Sequence, residues 1–262
     1  MFKKQEILDS IKNAEDRLLI SKVLDQAALS LKYHEVKFTN FLDPYQHKLL
    51  TQKLKYIAAD IHTDSWGGYQ ESERKILSFF PKYIEHTDID YPIVILEVIS
   101  NHAAKLTHRD FLGSILGLGI KREKIGDILI NENACYIFVM SDISNFIKIH
   151  LNKVANTCVS IVEKNVSELI IPQRKYKALH ATVASLRIDA VLSAALGESR
   201  SKVLPYIHSE KVSINWEPCK SPSQILKEGD IISVRGHGRM VLECIRGTTR
   251  KGRISITVKR FI

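Results

Sequence analysis

The stretch that decides the fold of the central region begins with IVILEVI at residues 93–99 and ends with TCVSIVE at residues 157–163. Both runs are rich in β-branched residues, which is typical of strands. Between them the sequence predicts a helix over 107–118, strands over 125–130 and 134–141, and a second helix over 143–155. The resulting order, βαββαβ, is that of the ferredoxin-like or RRM-like arrangement. RNA-recognition domains use it, but so do many unrelated proteins, so the order alone assigns no function.

The sequence before this region predicts helices. Residues 4–32 place apolar side chains at three- and four-residue spacings, which indicates one helical stripe. Asp43-Pro44 combines an N-cap residue with a proline at the first helical position, and predicts a helix to about residue 59. A further helix is expected over 71–80, closed by Pro81. We therefore expect an α+β protein with a mainly helical domain over 1–82 and a ferredoxin-like domain over 83–172.

Positive charge is concentrated in the C-terminal region. Residues 184–262 hold 14 lysines and arginines against 7 acidic residues, and so carry +7 of the chain's net charge of +9. Such a surplus in one small segment is typical of a phosphate-binding surface. The region predicts two short helices, over 187–196 and 199–208, and four strands, the last two forming a hairpin. Residues 173–183 begin with a basic stretch that lacks periodicity, and we expect a linker there before a domain over 184–262.

The sequence SRSK at 199–202 is the best-specified candidate contact with RNA. Ser199 is suited to an N-cap, and the first turn of a helix presents backbone N–H groups that favour an anion. Arg200 and Lys202 add full charges there, and Ser201 adds a hydroxyl. In an arbitrary helix these would be ordinary solvated charges. Three further cations in the same short α/β unit favour phosphate binding instead: Arg187, Lys211 and Arg235.

This segment is similar to the αL RNA-binding motif of the ribosomal-protein-S4 type. The resemblance rests on RID at 187–189, the intact SRSK, and GDII at 229–232. The middle departs from the motif, because residues 209–216 lack both glycines of its Gly-X-Val-X-Val-Asn-Gly turn. Pro205 also falls six positions into the second helix, where an interior proline costs about 3 kcal/mol or forces a kink.

A second resemblance covers nearly the whole chain. It rests on FLDP at 41–44, GGY at 67–69, and above all HRDFLGSILGLGIKREKIGDI at 108–128. These segments resemble the bacterial YlmH family. The resemblance implies a non-catalytic RNA-binding protein, encoded near division genes, that engages obstructed large ribosomal subunits carrying peptidyl-tRNA in ribosome quality control. The implied partners are ribosomal RNA of the large subunit and peptidyl-tRNA.

The long block at 108–128 supplies a secondary set of candidate RNA contacts. Lys121 and Arg122 follow a glycine-rich helix end, and Arg109 lies in the first turn of the helix before it. The alternative is a solvated loop in which Arg122 pairs with a local carboxylate. Tyr136 and Phe138 share one face of a predicted strand, where they either stack RNA bases or are covered by the N-terminal helices.

Enzyme motifs are absent from the sequence. It contains no nucleotide-binding loop, zinc-binding His pair or nucleophile elbow, so no catalytic residue, metal or cofactor is predicted. The four cysteines have no paired spacing, and the longest apolar run falls far short of the ~20 residues that span a bilayer. We expect a monomeric, cytoplasmic protein without membrane contact. Two alternatives stay open: an RNA-modifying enzyme of the pseudouridine synthase or methyltransferase type that docks through the C-terminal region, and an interaction protein of cell division.

Overall fold

The computed structural model describes residues 4–54, 61–100, 106–131, 134–172, 176–250 and 252–261. The chain divides into two compact units, residues 1–172 and residues 173–262. Both units combine helices with antiparallel sheets, which confirms the α+β class. No helix in the described ranges is both long enough and apolar enough to cross a membrane.

The first unit begins with helices that pack on a small sheet. Its helices are α1 (Lys4–Asp9), α2 (Ala14–Tyr33) and α3 (Pro44–Leu54). Its strands are β1 (Lys37–Phe38), β2 (Ile61–Trp66) and β3 (Ile76–Pro81), in the order β1-β3-β2 with antiparallel neighbours. Helix α2 buries one face against β3 in a shared apolar core. The region predicted as mainly helical therefore also contains a sheet.

The single apolar stripe predicted over 4–32 is divided between α1 and α2. The side-chain oxygen of Asn13 accepts hydrogen bonds from the backbone N–H groups of Glu15 at 2.8 Å and Asp16 at 3.3 Å. These bonds satisfy N–H groups that a helix start leaves without a partner, so a new helix begins here. The apolar spacing continues across the break because both helices face the same core.

Helix α3 starts where the sequence predicted. Asp43 and Gln46 exchange side-chain hydrogen bonds with each other's backbone N–H, at 2.8 and 3.0 Å, in a capping arrangement. The described part of this helix ends at Leu54. The predicted continuation to residue 59 falls on residues 55–60, which lie outside the described residues.

The prediction of a helix over 71–80 is wrong. Strand β3 lies between β1 and β2, and all six of its residues are buried. A strand that is covered on both faces carries apolar residues without alternation, and a short buried helix shows the same pattern. Pairing with two neighbouring strands, which local periodicity does not encode, makes this segment a strand.

The second part of the first unit is ferredoxin-like, as predicted. Its elements are β4 (Ile93–Ser100), α4 (His108–Gly117), β5 (Ile125–Ile130), β6 (Ala134–Met140), α5 (Ser141–His150), β7 (Lys153–Val154) and β8 (Thr157–Lys164). The sheet order is β5-β6-β4-β8-β7, and every neighbouring pair is antiparallel. Helix α5 ends at His150 rather than near residue 155, because the chain turns there into the short hairpin of β7 and β8.

Each face of this sheet has its own cover. Helices α4 and α5 bury one face, with Ile115 and Ile147 fully enclosed. On the other face Phe138 is fully buried among Phe41, Tyr69 and Ile76 from the first part of the unit. The N-terminal elements therefore pack directly on the sheet face that was a candidate for base stacking.

Gly126 allows this close packing. A Cβ atom at this position would lie 2.7 Å from Cε1 of Phe41 and 3.0 Å from Cβ of Phe138. Contacts this short force neighbouring atoms to move, and both neighbours are fully buried aromatic residues. The absence of a side chain at Gly126 is therefore a packing requirement.

Asp127, the next residue, ties the two parts together by hydrogen bonds. Its carboxylate accepts bonds from the Tyr69 hydroxyl at 2.8 Å, the Glu73 N–H at 2.7 Å and the Arg74 N–H at 3.0 Å. Arg74 in turn donates from Nε to the carbonyl of Ile125 at 2.9 Å. The loop between β2 and β3 is thus held against the start of β5.

The second unit packs two helices on one sheet. Its elements are β9 (Tyr176–Val183), α6 (Ile188–Leu196), α7 (Arg200–His208), β10 (Val212–Ile214), β11 (Glu217–Pro218), β12 (Ile231–Val234), β13 (Gly238–Thr248) and β14 (Ile254–Phe261). The sheet order is β11-β10-β12-β13-β14-β9. Val191, Val203 and Ile207 from the helices are fully buried against Val212, Ile232 and Leu242 of the sheet. The predicted terminal hairpin is present as β13 and β14.

The predicted linker over 173–183 is wrong for most of its length. Residues 176–183 form β9, which pairs along its whole length with β14 at the edge of the sheet. Most of its side chains are exposed, so the segment lacks the apolar alternation that predicts a strand. Residues 173–175 lie outside the described residues.

The packing at Gly126 makes a testable prediction. We expect Gly126→Ala to lower the free energy of unfolding by about 1–3 kcal/mol, since the added methyl group overpacks the aromatic cluster. Urea unfolding of the full chain measures this difference. Gly113→Ala is the matched control: it lies in α4 with no atom within 4 Å of its Cβ, so alanine should raise stability by about 0.5–1 kcal/mol. Equal effects at the two positions would contradict the packing argument.

Candidate nucleic-acid interface

Asp189 organises the start of helix α6. Both oxygens of its carboxylate accept hydrogen bonds from the Arg187 guanidinium at 3.1 Å, and Oδ1 also accepts one from the N–H of Ala190 at 2.9 Å. Asp189 is buried, whereas 42% of the Arg187 side chain is exposed. A buried carboxylate thus holds a guanidinium at the surface in a fixed orientation.

The pKa of Asp189 reflects this arrangement. Burial raises the pKa of the carboxyl group, but the hydrogen bonds and charge of Arg187, the N–H of Ala190 and the charge of Arg200 together lower it further than burial raises it. The hydrogen bond to Asp189 also raises the pKa of Arg187. Arg200 begins helix α7, so the starts of both helices bring a cation to one carboxylate.

The four residues of the SRSK segment are all exposed at the start of α7. Ser199 occupies the N-cap position, as predicted, but its side chain makes no capping hydrogen bond and lies 2.9 Å from the Ser201 hydroxyl instead. The first-turn N–H groups of a helix carry partial positive charge and have no partner within the helix. In this helix the N–H of Lys202 donates to the Ser199 carbonyl at 3.0 Å. The two serine hydroxyls and the cations Arg200 and Lys202 are exposed together at the positive end of the helix.

Lys211 and Arg235 are adjacent at one end of the sheet. The N–H of Arg235 donates to the carbonyl of Lys211 at 2.8 Å, next to the pairing of Val212 with Val234. Both cations are exposed. Lys211 follows α7 closely, and its N–H donates to the carbonyl of Tyr206 at 2.9 Å. The C-terminal unit thus carries exposed cations at both ends of α7.

The turns of the αL motif keep their backbone conformation without glycine. Glu210 and Trp216 stand at the two glycine positions and have φ angles of 53° and 67°, and Asn215 between them has 49°. Gly229 and Asp230 meet this turn, because Asp230 accepts a hydrogen bond from the Asn215 amide at 2.8 Å. Pro205 lies inside α7, which continues through it to His208.

Arg122 is held in place by backbone carbonyls. Its Nη1 donates to the carbonyl oxygens of Ile125 at 2.6 Å and Gly126 at 3.3 Å. Burial, followed by the charge of Arg74, lowers its pKa to about 10, which still leaves it charged at neutral pH. The alternative that Arg122 has a local role fits this geometry, although its bonded partners are carbonyls rather than a carboxylate.

Lys121 and Arg109 are exposed in the same unit. Lys121 lines an open cleft of about 280 Å³ with Asp43, Gln46, Arg74, Arg122 and Glu123. Arg109 lies in the first turn of α4. Hydrogen bonds from Thr107 are the main cause that lowers the pKa of Asp110, and the charge of Arg109 contributes less. The cleft is lined by both acidic and basic side chains, so it differs from the cationic surface at α7.

Base stacking on Tyr136 and Phe138 does not fit the structure. Tyr136 is 5% exposed and Phe138 is fully buried, because the N-terminal elements cover their face of the sheet. The sequence left open whether these rings stack bases or are covered by N-terminal residues, and the packing shows that they are covered. In the part of the chain that the structure describes, no group of three or more His, Cys, Asp or Glu side chains could hold a metal ion.

Two features of the C-terminal unit escaped the sequence analysis. One is the ion pair of Arg187 with Asp189, which an i to i+2 spacing at a helix start does not by itself predict. The other is the ring of Trp216, whose centroid lies 5.7 Å from the guanidinium carbon of Arg239. The Asn-Trp pair in place of Asn-Gly was the available signal for it.

Three family models match successive parts of the chain. The model described as "YlmH, N-terminal" matches residues 15–84, and "Putative RNA-binding domain in YlmH" matches residues 86–168. The model described as "S4 domain" matches residues 186–232, which contain α6, α7 and the SRSK segment. The third match therefore falls on the cationic surface described above.

Two known proteins are similar to this chain. The ribosome-associated protein quality control protein P2 of Bacillus subtilis (strain 168) is 32% identical over 247 residues, which cover 94% of this chain and 95% of that protein. A solved structure, the cell division protein ylmH from Streptococcus pneumoniae, is 27% identical and has a TM-score of 0.51. The matched region covers 62% of this chain and 98% of the chain in that structure.

The ion pair at α6 makes a prediction about pH. Because the pKa of Asp189 is lowered by folding, its ionised form stabilises the folded state at neutral pH, and this contribution is lost as the pH falls through the folded-state pKa. We expect Asp189→Asn to lower the free energy of unfolding by about 1.5–3 kcal/mol at pH 7. The difference should begin to shrink below about pH 4, where the carboxyl group of the unfolded chain becomes protonated, and should shrink further as the pH falls through the lower folded-state pKa.

Urea unfolding at a series of pH values measures this effect. Asp25→Asn is the control, since Asp25 forms an exposed ion pair with Lys4 and its loss should cost at most about 1 kcal/mol. A penalty for Asp189→Asn that stays constant from pH 7 to pH 3 would show that the charge of Asp189 is not what stabilises the fold.

Proposed function

The chain belongs to the YlmH family, and from this premise we propose that it is a non-catalytic RNA-binding protein of ribosome quality control. Its proposed target is structured ribosomal RNA of the large subunit, with peptidyl-tRNA as a second RNA. The protein would act as a monomer in the cytoplasm, where ribosomes lie. The name of the Bacillus subtilis relative, a ribosome-associated quality control protein, supports the ribosomal setting.

The observation that carries this proposal is the exposed start of α7. Arg200, Lys202 and two serine hydroxyls surround backbone N–H groups that favour an anion. Arg187 belongs to the same site, because Arg200 and Arg187 both act on the carboxylate of Asp189. A phosphate group of an RNA backbone has the charge and the acceptor oxygens that this arrangement suits.

A second pair of cations extends the proposed contact along the unit. Lys211 and Arg235 are exposed beyond the far end of α7. A nine-residue helix is about 13 Å long at ~1.5 Å per residue, so the two groups of cations suit different phosphates of one RNA. We propose Lys121 and Arg109 as weaker contacts, and we assign Arg122 to holding the loop before β5.

We further propose three functional regions, over 1–82, 83–172 and 184–262. The first two form a single compact unit, because the hydrogen bonds to Asp127 and the packing at Gly126 join them. The region over 184–262, with β9 added to its sheet, is the main RNA-binding domain. This division is supported by the separation of the chain into units over 1–172 and 173–262.

Charge reversal at α7 tests the proposal. We expect Arg200→Glu with Lys202→Glu to weaken binding to ribosomal RNA and to reduce the slope of log affinity against log salt by roughly 1.8, since each lost phosphate contact removes about 0.9. Filter binding or fluorescence anisotropy at several salt concentrations measures the slope. Lys22→Glu with Lys82→Glu, at two exposed lysines of the first unit, is the control that changes net charge equally. An unchanged slope in the folded α7 variant would overturn the assignment.

The proposal that the protein is non-catalytic has its own test. After incubation with ribosomal RNA, with and without S-adenosylmethionine as methyl donor, mass spectrometry of the digested RNA should show no added methyl group and no pseudouridine beyond the control. The sequence contains no recognisable cofactor-binding motif, so we expect binding alone. One modified nucleotide formed in stoichiometric amount would establish the RNA-modifying alternative.

A role in cell division is the second candidate function. The name of the Streptococcus pneumoniae relative favours it. Replacing the chromosomal copy by the Arg200→Glu, Lys202→Glu variant separates the two functions. A division defect in that strain would make division a consequence of RNA binding, whereas normal division together with impaired ribosome rescue would make it independent.

A further inference from the structure

The turn between β10 and β11 carries an unusual residue at its tip. Ile214 pairs with Glu217, so the loop consists of Asn215 and Trp216 alone. Both have positive φ angles, 49° and 67°. Two-residue hairpin turns of this kind favour asparagine followed by glycine. A bulky residue with positive φ is an outlier that costs of order 1–3 kcal/mol and often marks a functional position.

Asn215 holds this turn rigidly. Its N–H donates to the carbonyl of Ile231 at 2.8 Å, and its side-chain oxygen accepts from the Ile231 N–H at 3.0 Å. Its amide nitrogen donates to Asp230 at 2.8 Å. Three hydrogen bonds therefore fix Asn215, the residue directly before Trp216, to the start of β12.

The guanidinium of Arg239 lies over one face of the Trp216 indole, and Arg239 belongs to the face of the sheet turned away from the helices. Val212, Ile232 and Met240 point into the core under α6 and α7. Strand residues alternate between the faces, so Ser233 and its partner Arg239 belong to the opposite face. The guanidinium carbon of Arg239 lies 5.7 Å from the centre of the Trp216 ring, within the range of a cation–π contact.

We infer that Trp216, supported by Arg239, is a stacking position for one unpaired nucleobase of the bound RNA. The inference rests on the proposed RNA-binding function and extends it from phosphate contacts to a base contact. A rigid, partly exposed indole offers a π-face that any base can cover, and base–aromatic stacking is a general mode of binding to single strands and loops. Arg239 adds charge complementarity to the neighbouring phosphate.

The position relative to the proposed phosphate contacts supports this occupant. Lys211 directly precedes the three residues of β10, and Trp216 follows them after Asn215, so the strand separates the two positions by roughly 10 Å at ~3.3 Å per residue. An RNA strand that contacts Lys211 and Arg235 through its backbone can therefore place a splayed base at the turn. A phosphate alone would make no use of an indole ring.

Tryptophan fluorescence tests the inference directly, because the chain has two tryptophans, Trp66 and Trp216. In the Trp66→Phe variant all tryptophan emission comes from Trp216. We expect a single-stranded RNA oligonucleotide to quench this emission as it binds, whereas an abasic strand with the same number of phosphates should bind through charge without the same quenching. Equal quenching by both strands, or none by the RNA, would overturn the stacking assignment.

Substitutions at the turn provide the affinity test. Trp216→Gly suits the positive φ and should fold, yet it should weaken RNA binding by roughly 5- to 150-fold, the range given by a stacking energy of about 1–3 kcal/mol. Trp216→Phe keeps a π-face and should restore most of the affinity. Tyr33→Ala removes an exposed aromatic ring beside Lys32 and Lys37 in the first unit and should have no effect.

The outcomes separate this inference from the proposed function. If the wild-type chain fails to bind RNA, the proposed function itself is wrong. If the wild type binds and Trp216→Gly binds equally well, phosphate contact stands and base stacking at Trp216 is wrong. Loss of binding in Trp216→Gly that Trp216→Phe does not restore would instead assign a structural role to the turn, and would also overturn the inference.

Discussion

The carboxylate of Asp127 is the interaction on which the first unit depends. It receives hydrogen bonds from the Tyr69 hydroxyl and from two successive backbone N–H groups, those of Glu73 and Arg74. Without it, these three donors in a partly buried site would each lose a hydrogen bond, and a donor left unsatisfied costs about 1–3 kcal/mol. The bonds join the loop between β2 and β3 to the ferredoxin-like sheet. Because Gly126 has no side chain, the ring of Phe41 can also pack closely on this sheet.

The packing of the N-terminal elements on the ferredoxin-like sheet determines whether that face of the sheet is accessible to RNA bases. Its face carries Tyr136 and Phe138, which in RNA-recognition domains would be positions for stacking bases. Here Phe41, Tyr69 and Ile76 occupy that face, so the aromatic residues contribute to the core rather than to a surface. The RNA contacts proposed for this chain therefore lie on other elements, chiefly on the C-terminal unit with its excess of positive charge.

In the C-terminal unit Asp189 has a corresponding organising role. Burial raises the pKa of its carboxyl group, but the hydrogen bonds and charge of Arg187, together with the N–H of Ala190 and the charge of Arg200, lower it further. Its two hydrogen bonds to Arg187 orient that guanidinium at the surface. The turns of this unit accept strained backbone at Glu210 and Trp216, where glycine would be relaxed. At Trp216 the strain places an aromatic ring at a rigid tip, next to Arg239, which is the basis for expecting a base contact there.

Sequence patterns predicted the elements whose signals are local. The Thr107 cap of α4, the Asp43 cap of α3, and the βαββαβ order of the ferredoxin-like region were predicted, because capping and periodicity act within a few residues. The excess of basic residues marked the C-terminal region, and the resemblance of its RID, SRSK and GDII segments to the αL motif located the S4 domain there. Nothing local distinguishes a helix from a buried strand at Ile76–Pro81, however, or marks the exposed edge strand β9.

Those segments, the covered face at Phe138 and the ion pair of Arg187 with Asp189 were decided only by the tertiary structure. Local patterns were enough for the α+β class, for the helix caps at Asp43 and Thr107 and for the position of the charge. Strand partners and the cover of a sheet face depend on residues distant in the chain, such as Phe41 and Phe138. The free energy of such contacts arises only when packing removes both partners from water, so no local pattern contains them.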